Sequence, residues 1–329
     1  MDLLDTMLPE KLKGTISLQN YLHMSDAQWE VFSKASPEEQ LCYRAKARPR
    51  TDDELYEYIR FVWGVTLPRT CHPDCAKKDC PCTPPFTVFA DAFFSRFPLI
   101  VLKASRGAGK SVLLGLLSLT EQVCMDAQVL MLGGSETQAR VIFDYISQRT
   151  TRLPEMFWAH KNAPKALQNQ KEELQTSSKI VTGGEIKANP ASETSILGQR
   201  PSRLRMDEVD KVSPELIEAA IPTCHPDRYK HIKNQIILSS THYSAQGTLT
   251  EYITRANEKN KEAGEVVMPV YSFCYRDVLE ENGGYITPAL LKDMKLSVDR
   301  HTWTRQFENG EPAIEGALFS DEDLDILFD

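Results

Sequence analysis

The sequence predicts an α/β fold with a mostly parallel central sheet flanked by helices. Short apolar runs at 99–102, 129–132 and 236–238 alternate with longer segments of helical periodicity, which is typical of parallel sheets. Strands that are covered by helices on both faces appear as nearly continuous apolar runs of this kind. A loop of small residues follows the first run directly, and short connections of this sort join strands to helices in α/β units.

The composition is that of a globular protein. The chain has 329 residues, of which 41% are hydrophobic and 26% charged, and this is ordinary usage for folded domains. The net charge is −8, so a nucleic-acid-binding function would need a local basic face. The first residues are acidic and lack the apolar core of a signal peptide. No apolar run approaches the roughly 20 residues of a membrane span, and we expect no membrane association.

The chain is organised around the stretch 98–111, where an apolar run enters a small-residue loop that opens a helix. The loop matches G-x-x-x-x-G-K-S/T except at its first glycine, which is Ala104 here. Backbone N–H groups of such a loop and the helix dipole hold a polyphosphate. Lys110 is expected to reach the β- and γ-phosphates and the Ser111 hydroxyl to bind Mg²⁺. The other residues expected to line the phosphate site are Ser105, Arg106, Gly107, Ala108 and Gly109.

A chance Gly-Lys-Ser before a helix is the alternative interpretation of this stretch. The apolar run before it and the apolar helical pattern after it argue against chance, because the motif is meaningful only between a strand and a helix.

A second acidic motif follows at Asp207 and Glu208. They end a predicted strand, so Asp207 is expected to hold the Mg²⁺ and Glu208 to polarise an attacking water. Asp-Glu pairs are also common on protein surfaces, and the strand before this one is unusual. A central parallel strand should be almost wholly apolar, yet Arg203 and Arg205 interrupt it. The sequence offers no explanation for these two arginines.

Three hydroxyl-bearing residues, Ser239, Ser240 and Thr241, end the next apolar run. Ligands of open α/β sheets sit outside the carboxyl ends of the strands. We therefore expect these hydroxyls to face the same site as the acidic pair.

Four of the eight cysteines fall between residues 71 and 82. They are Cys71, Cys75, Cys80 and Cys82. In a chain without a signal peptide this clustering favours a metal over disulfides. Tetrahedral zinc with four protein ligands is structural. The spacing is not the usual pair of C-x-x-C hooks, so a loop of reduced thiols stays open as the alternative.

The domain organisation follows from these motifs. We predict a helical N-terminal appendage at 1–66, a Cys-rich, zinc-binding knuckle at 67–85, the nucleotide-binding core at 86–285 and a small lid or linker at 286–329.

Taken together, these motifs resemble the ATPase domain of the large terminase subunit of tailed bacteriophages. The resemblance covers roughly residues 85 to 318. Its specific parts are the loop at 104–111 with an internal arginine, Gly-Gly-Ser-Glu-Thr-Gln-Ala-Arg at 133–140, Ser-Ile-Leu-Gly-Gln at 195–199, Ser-Ser-Thr at 239–241 and Trp-Thr-Arg-Gln-Phe-Glu-Asn-Gly-Glu at 303–311.

The resemblance implies a RecA-like P-loop NTPase fold and a motor that hydrolyses ATP with Mg²⁺ to drive double-stranded DNA into a procapsid. Arg106 would reach the γ-phosphate, and residues 239–241 would couple hydrolysis to DNA movement. Members work as homo-oligomeric rings on a portal, with a small terminase subunit, in the cytoplasm of the infected cell. An arginine reaches in from the neighbouring subunit, and here Arg200 is the candidate and Arg140 the runner-up.

Two departures from the family pattern stand out. Large terminases carry a nuclease domain after the ATPase domain, and this chain stops near where that domain would begin, so we expect no DNA cleavage by it. The cysteine cluster is also not a general feature of the family. DNA contact is expected from loops such as 228–233, where Lys and Arg lie beside an aromatic, although a solvated turn fits that loop equally well.

Two other classes of function stay open. The acidic motif at 207–210 and the hydroxyls at 239–241 also resemble the leading RecA-like domain of a superfamily 2 helicase, but too few residues follow for a second such domain. The other alternative is a non-catalytic, zinc-bearing nucleic-acid-binding or assembly module that retains a relic of the phosphate loop.

Overall fold

The computed structural model describes residues 17–71, 82–158, 177–227, 230–241, 244–273, 275–280 and 286–307. Strands and helices alternate from residue 85 onward. The strands are β1 Leu99–Ala104, β2 Gln128–Gly133, β3 Ser177–Lys179, β4 Glu185–Pro190, β5 Arg203–Asp207, β6 Gln235–Ser240 and β7 Val270–Phe273. None of the helices in these parts of the chain is long and apolar enough to cross a membrane.

The helices of the described residues fall into three groups. Five precede the first strand: α1 Leu18–Tyr21, α2 Asp26–Lys34, α3 Pro37–Lys46, α4 Asp52–Tyr58, which is continued by a π-helical turn at Ile59–Trp63, and α5 Pro85–Phe93. Five lie among the strands: α6 Lys110–Met125, α7 Glu136–Thr150, α8 Glu193–Ile196, α9 Pro214–Ala220 and α10 Thr248–Ala263. Two follow the last strand: α11 Pro288–Ser297 and α12 Arg300–Phe307.

The described strands form one sheet in the order β3-β4-β2-β5-β6-β1-β7. Every neighbouring pair is parallel except β3 and β4. The predicted α/β fold with a mostly parallel sheet is therefore confirmed. The strand β6 lies between β1 and β5, so the chain segments that carry the predicted phosphate loop, the hydroxyls and the acidic pair are neighbours.

Each central strand contributes to two hydrophobic cores, one on each face of the sheet. In β1, Ile100 and Leu102 belong to the core that contains α5 and α6, whereas Val101 belongs to the core that contains α9 and α10. Successive side chains of a strand point to opposite faces. Two-sided burial is the reason why these strands read as continuous apolar runs in the sequence.

The helix that follows the small-residue loop, α6, is buried along most of its length. Every residue from Leu113 to Met125 is buried, because α3, α5 and α7 pack around the helix on the side away from the sheet. The indole Nε1 of Trp63 donates to Thr120 Oγ1 at 3.0 Å. At the end of α6, Lys46 Nζ lies 2.6 Å from the carboxylate of Asp126. The N-terminal helices thus fix the helix on which the loop depends.

Several helix ends carry capping residues that can be recognised in the sequence. Ser36 and Glu39 form a capping box at the start of α3, Gly64 ends the π-helical turn in the left-handed conformation, and Ser135 caps α7. These signals depend only on a few adjacent residues, so they can be recognised without knowledge of the tertiary structure.

Some elements differ from the sequence prediction. The strand β4 was not predicted, since its polar residues and terminal proline hide an alternation in which Ile186 and Ala188 are buried. The apolar run at 266–271 predicts a strand, whereas the last strand of the described residues lies at 270–273. Helices α11 and α12 lie in the segment predicted as a lid or linker, and its role stays a prediction.

The turn between β2 and α7 requires a glycine at position 133. A Cβ on Gly133 would lie 2.8 Å from the backbone nitrogen of Ala139 and 3.1 Å from the Ser135 oxygen. We expect Gly133→Ala to lower the free energy of unfolding by about 2–3 kcal/mol, since backbone atoms cannot move aside as a flexible side chain does. Urea denaturation measures the loss.

Gly198 provides the matched control. It has a positive φ of 79°, and no atom lies within 4 Å of a Cβ placed there, so Gly198→Ala should cost only about 1 kcal/mol of backbone strain. Equal losses in the two variants would contradict the close approach at Gly133.

Candidate functional site

The candidate site lies at the carboxyl edge of the sheet, where β1, β5 and β6 end side by side. Asp207 is the last residue of β5, and its register partner in β6 is Ser239. The loop 105–109 leaves β1 at the same edge and enters α6 at Lys110. Parallel order therefore brings the three sequence motifs to one place.

The loop adopts a conformation that needs its glycines. Gly107 and Gly109 have φ values of 76° and 81°, in the left-handed region that glycine enters without steric cost. The amide of Ala108 donates to the Ser105 oxygen at 3.1 Å, which tightens the turn. Gly109 is the N-cap of α6 and has no side chain to cap the helix. Such an N-terminus favours negative charge through the helix dipole.

Two charged pairs connect the start of α6 to the end of β5. Lys110 Nζ forms an ion pair with Glu208 Oε1 and lies 3.8 Å from Asp207 Oδ1. Ser111 Oγ donates to Asp207 Oδ2 at 2.6 Å. The lysine, the hydroxyl and both carboxylates thus converge within one contact network.

A third hydroxyl completes this network from β6. Ser239 Oγ donates to Asp207 Oδ1 at 2.8 Å, so each carboxylate oxygen of Asp207 accepts a hydroxyl. Asp207 is only 2% exposed, and a buried carboxylate needs such donors. The sequence prediction that the hydroxyls of 239–241 face the acidic pair is confirmed for Ser239.

Glu208 is held in an uncommon backbone conformation. Its φ is 57° and its ψ 46°, a left-handed region that non-glycine residues rarely adopt. Its amide donates to Asp207 Oδ1 at 3.0 Å. Strained residues of this kind concentrate at functional sites, where the surrounding structure holds them in place. In this conformation the Glu208 carboxylate forms its ion pair with Lys110.

Several buried polar atoms at this edge have no hydrogen-bond partner among the described residues. They include Glu208 Oε2, Ser240 Oγ and Thr241 Oγ1, although Lys211 Nζ approaches Glu208 Oε2 to 3.7 Å as an ion pair. Buried polar groups are nearly always hydrogen-bonded. Orphaned atoms beside a glycine loop, a lysine and two carboxylates fit a site that takes a polar, anionic ligand together with a cation.

Arg106 and Ser105 point away from this network in the structure. The Arg106 amide donates to the Gln306 backbone oxygen at 2.6 Å, and its Nη1 donates to Gln306 Oε1 at 3.2 Å. Ser105 donates to the Phe273 oxygen through both its amide and its hydroxyl, at 3.1 and 3.3 Å. The loop is therefore attached to β7 and α12, and a phosphate contact by Arg106 requires its side chain to leave Gln306.

The two candidate trans-acting arginines lie at opposite edges of the sheet. Arg200 precedes β5 and is exposed at the amino ends of the strands, far from the loop of its own chain. Arg140 lies in the first turns of α7, which begins at the carboxyl edge, and its Nη2 lies 3.3 Å from Glu136 Oε1. An arginine that serves a neighbouring subunit has no need to approach its own site, so both stay candidates.

The cysteine cluster is only partly described. Cys71 Sγ lies 3.1 Å from the Cys82 backbone oxygen, while Cys75 and Cys80 lie outside the described residues. The zinc site predicted for these four cysteines stays a prediction.

The loop 228–233, predicted to contact DNA, is also partly described, because residues 228 and 229 lie outside the described residues. Lys230 Nζ donates to the Asp126 oxygen at 2.7 Å, at the carboxyl end of α6 where a cation is favoured by the helix dipole. Lys230 therefore binds the backbone at the carboxyl end of α6, and its contact with DNA stays a prediction.

The two unexplained arginines of β5 have a partner in α6. Arg203 and Arg205 both contact Glu121, and all three side chains are almost fully buried. Sequence analysis missed Glu121 as a partner. The available signal was an acidic residue inside an otherwise apolar helix together with two arginines inside a predicted buried strand.

Asp210 has a role that the sequence did not indicate. Its Oδ1 accepts from the Leu249 amide at 2.7 Å, in the first turn of α10. A Cβ on Gly247 would lie 2.7 Å from the same oxygen. Asp210 thus joins the segment after the acidic pair to the helix that follows the hydroxyls.

Sheet order, glycine loop and helix define an α/β fold of the P-loop type. No protein-family model matches the chain, and no curated protein matches it. Solved structures do resemble it. The HK97 bacteriophage large terminase is 14% identical with a TM-score of 0.47, and the match covers 84% of this chain and 50% of that one.

Two further solved structures resemble the chain at similarly low sequence identity. The large terminase ATPase domain of Thermus phage P74-26 is 15% identical with a TM-score of 0.47, over 68% of this chain and 92% of that one. A large terminase from a thermophilic bacteriophage in complex with ADP is 12% identical with a TM-score of 0.48, over 68% and 53%.

These structural neighbours are phage large terminases, which is the resemblance that the sequence predicts. The chain spans about half the length of the full-length terminases it matches. At such identities the likeness concerns architecture, and the chemistry of the site rests on the residues of this chain.

The contact between Asp210 and α10 makes a testable prediction. We expect Asp210→Ala to lower the free energy of unfolding by about 1 kcal/mol, because the first turn of α10 loses a carboxylate that accepts one of its amides. The measurement is urea denaturation beside Asp144→Ala, which removes an exposed carboxylate from α7. A loss no larger than that of Asp144→Ala would contradict the capping role.

Proposed function

We propose that this chain is an ATP-hydrolysing motor domain that drives double-stranded viral DNA into a procapsid. The observation that carries the ATPase part is the convergence of Lys110, Ser111, Asp207 and Glu208 at the mouth of a glycine loop. The sequence motifs shared with large terminases support the motor part. The neighbours of similar architecture are themselves terminases, one of them in complex with ADP.

The residues of the site fit the needs of phosphoryl transfer. This reaction depends mainly on positioning and on neutralising charge. Loop amides and Lys110 would hold the β- and γ-phosphates, with Arg106 added once its side chain leaves Gln306. Ser111 and Asp207 would hold Mg²⁺, which neutralises phosphate charge when bound. Glu208 would then orient the attacking water and accept its proton.

The ion pair between Lys110 and Glu208 suggests that nucleotide binding would come first and activation of the water second. A polyphosphate competes with Glu208 for Lys110, since both are anionic. Binding would release the Glu208 carboxylate, which then becomes available to the water. The contact of Lys110 with the phosphates would thus both bind the nucleotide and free Glu208 for catalysis.

The position of β6 suggests how hydrolysis is coupled to movement. Ser239 joins Asp207 directly, and Thr241 has a buried hydroxyl without a partner among the described residues. These contacts support the proposal that residues 239–241 would sense the loss of the γ-phosphate. Through Asp210 the same edge is connected to α10.

The proposed partners follow from the motor role. They are double-stranded DNA, a portal, a small terminase subunit and further copies of this chain in a ring, in the cytoplasm of the infected cell. A cyclic ring has heterologous interfaces, so a neighbour's Arg200 or Arg140 could complete each nucleotide site.

Hydrolysis of ATP tests the ATPase part. We expect Lys110→Ala and Glu208→Gln each to reduce turnover of Mg·ATP by about 10²–10⁴-fold, the usual range for loss of a positioned catalytic group. Lys110→Ala should also weaken nucleotide binding, whereas Glu208→Gln should bind ATP at least as well as the native chain. Phosphate release and binding of a fluorescent ATP analogue are the measurements.

Lys259→Ala and Glu258→Gln are matched controls, since both residues are exposed on α10. They should leave turnover unchanged. A Glu208→Gln variant that no longer binds ATP would contradict the role of Glu208. Nucleotide binding without turnover by the native chain, under all conditions and with DNA present, would support a non-catalytic module in place of the motor.

Mixing two inactive variants tests the arginine in trans. Arg200→Ala keeps its site but lacks the arginine, whereas Glu208→Gln keeps the arginine but lacks its site. An equal mixture should recover about a quarter of native turnover per chain, because half the sites keep Glu208 and half of those have a neighbour with Arg200. Absence of recovery would exclude Arg200, and the same experiment with Arg140→Ala then tests the runner-up.

A further inference from the structure

Three charged side chains are enclosed between α6 and β5, away from the proposed nucleotide site. Glu121 and Arg203 are 0% exposed and Arg205 is 1% exposed. Arg203 Nε lies 2.6 Å from Glu121 Oε1. Arg205 Nη2 contacts both carboxylate oxygens of Glu121, at 2.9 and 2.8 Å. We call these three residues the ionic cluster.

The ionic cluster is also attached to the backbone of the sheet. Arg205 Nη1 donates to the oxygens of Leu204 and Gln235, at 3.1 and 3.0 Å, and Arg203 Nη1 donates to the Lys233 oxygen. Burial lowers the pKa of Arg205, and the neighbouring Glu121 carboxylate opposes that shift. Glu121 of α6 is therefore bound to two arginines of β5, and Arg205 also contacts the first residue of β6, Gln235.

The geometry links the ionic cluster to the proposed Mg²⁺ site. Arg203, Arg205 and Asp207 alternate along β5, so they share the face that is turned to α6. Ser111 and Glu121 are ten positions apart on α6, which corresponds to about 15 Å of helix. Near the loop, Ser111 and Lys110 of α6 both contact Asp207 of β5. The ionic cluster joins the same two elements farther from the loop, between the last turns of α6 and the first residues of β5.

Apolar packing alone specifies poorly how far a strand is displaced along a helix. A buried ionic contact of fixed geometry specifies it well, because any displacement leaves a charge without its partner. Such contacts contribute little to stability, and apolar replacements of similar volume often leave stability unchanged or raise it. Their best-attested role is to fix the relative position of elements.

We propose that Glu121, Arg203 and Arg205 are positioning residues, which fix β5 along α6 and thereby hold Asp207 beside Ser111 for the binding of Mg²⁺. This inference rests on the proposed function, in that it assumes a Mg·nucleotide site between Ser111 and Asp207. It adds residues that contact neither nucleotide nor metal.

The test replaces the whole ionic cluster by apolar residues in the triple variant Glu121→Leu, Arg203→Met and Arg205→Leu. The Mg²⁺ concentration that half-saturates binding of a fluorescent ADP analogue is measured, together with the analogue's affinity without Mg²⁺ and the melting temperature. We expect the half-saturating Mg²⁺ concentration to rise about 10-fold, as for other residues that support a metal ligand. The melting temperature and the affinity without Mg²⁺ should stay near native values, because the loop and Lys110 are unchanged.

A triple variant that folds and keeps the native Mg²⁺ dependence would overturn the proposal. If the triple variant does not fold, the single variant Glu121→Asp tests the positioning role instead. This change keeps all three charges but shortens the reach of the carboxylate, so it should also raise the half-saturating Mg²⁺ concentration, and native behaviour would overturn the proposal. Ser118→Ala is the control on α6, because among the described residues the Ser118 hydroxyl bonds within its own helix, to the Leu114 oxygen.

The same experiment distinguishes failure of the proposed function from failure of the positioning role. A native chain that binds no nucleotide, or binds it without any effect of Mg²⁺, would remove the site on which the inference rests. Native Mg²⁺ dependence that the variants share would remove only the positioning role.

Discussion

The hydrogen bond from Ser111 to Asp207 is the contact on which the candidate site depends. It joins the first turn of α6 to the last residue of β5, two elements that come from distant parts of the chain. Lys110 and Glu208 take their places on either side of it and form an ion pair. Ser239 binds the remaining oxygen of Asp207 from β6. Displacement of either element would separate the loop, the lysine and the carboxylates at once.

The rest of the fold serves to keep α6 and the sheet in place. The helix is buried from Leu113 to Met125, with the sheet on one side and α3, α5 and α7 around the rest. Trp63 and Lys46 of the N-terminal segment contact α6 and its end, so this segment is part of the support of the loop. At the other side of the loop, Gln306 of α12 binds Arg106. The loop is therefore attached to α12 through both the backbone and the side chain of Arg106.

The sequence predicted the sheet, the loop, the acidic pair and the hydroxyls because each has a local signature. Parallel order then brings the carboxyl ends of strands together, which is why Ser239 could be expected beside Asp207. Glu121 could not be predicted as the partner of Arg203 and Arg205, since that contact depends on which face of α6 meets β5. The strand β4 was missed because only Ile186 and Ala188 carry its burial. The contact of Arg106 with Gln306 joins residues 200 positions apart, so no local sequence pattern predicts it.

The most direct test of the account is a crystal structure of the native chain with ADP and Mn²⁺, whose anomalous scattering locates the cation. The account predicts phosphates within the loop 105–109, the cation between the Ser111 hydroxyl and the Asp207 carboxylate, and Lys110 moved from Glu208 to the phosphates. A nucleotide bound elsewhere, or a cation away from Ser111 and Asp207 with the pair of Lys110 and Glu208 intact, would contradict it.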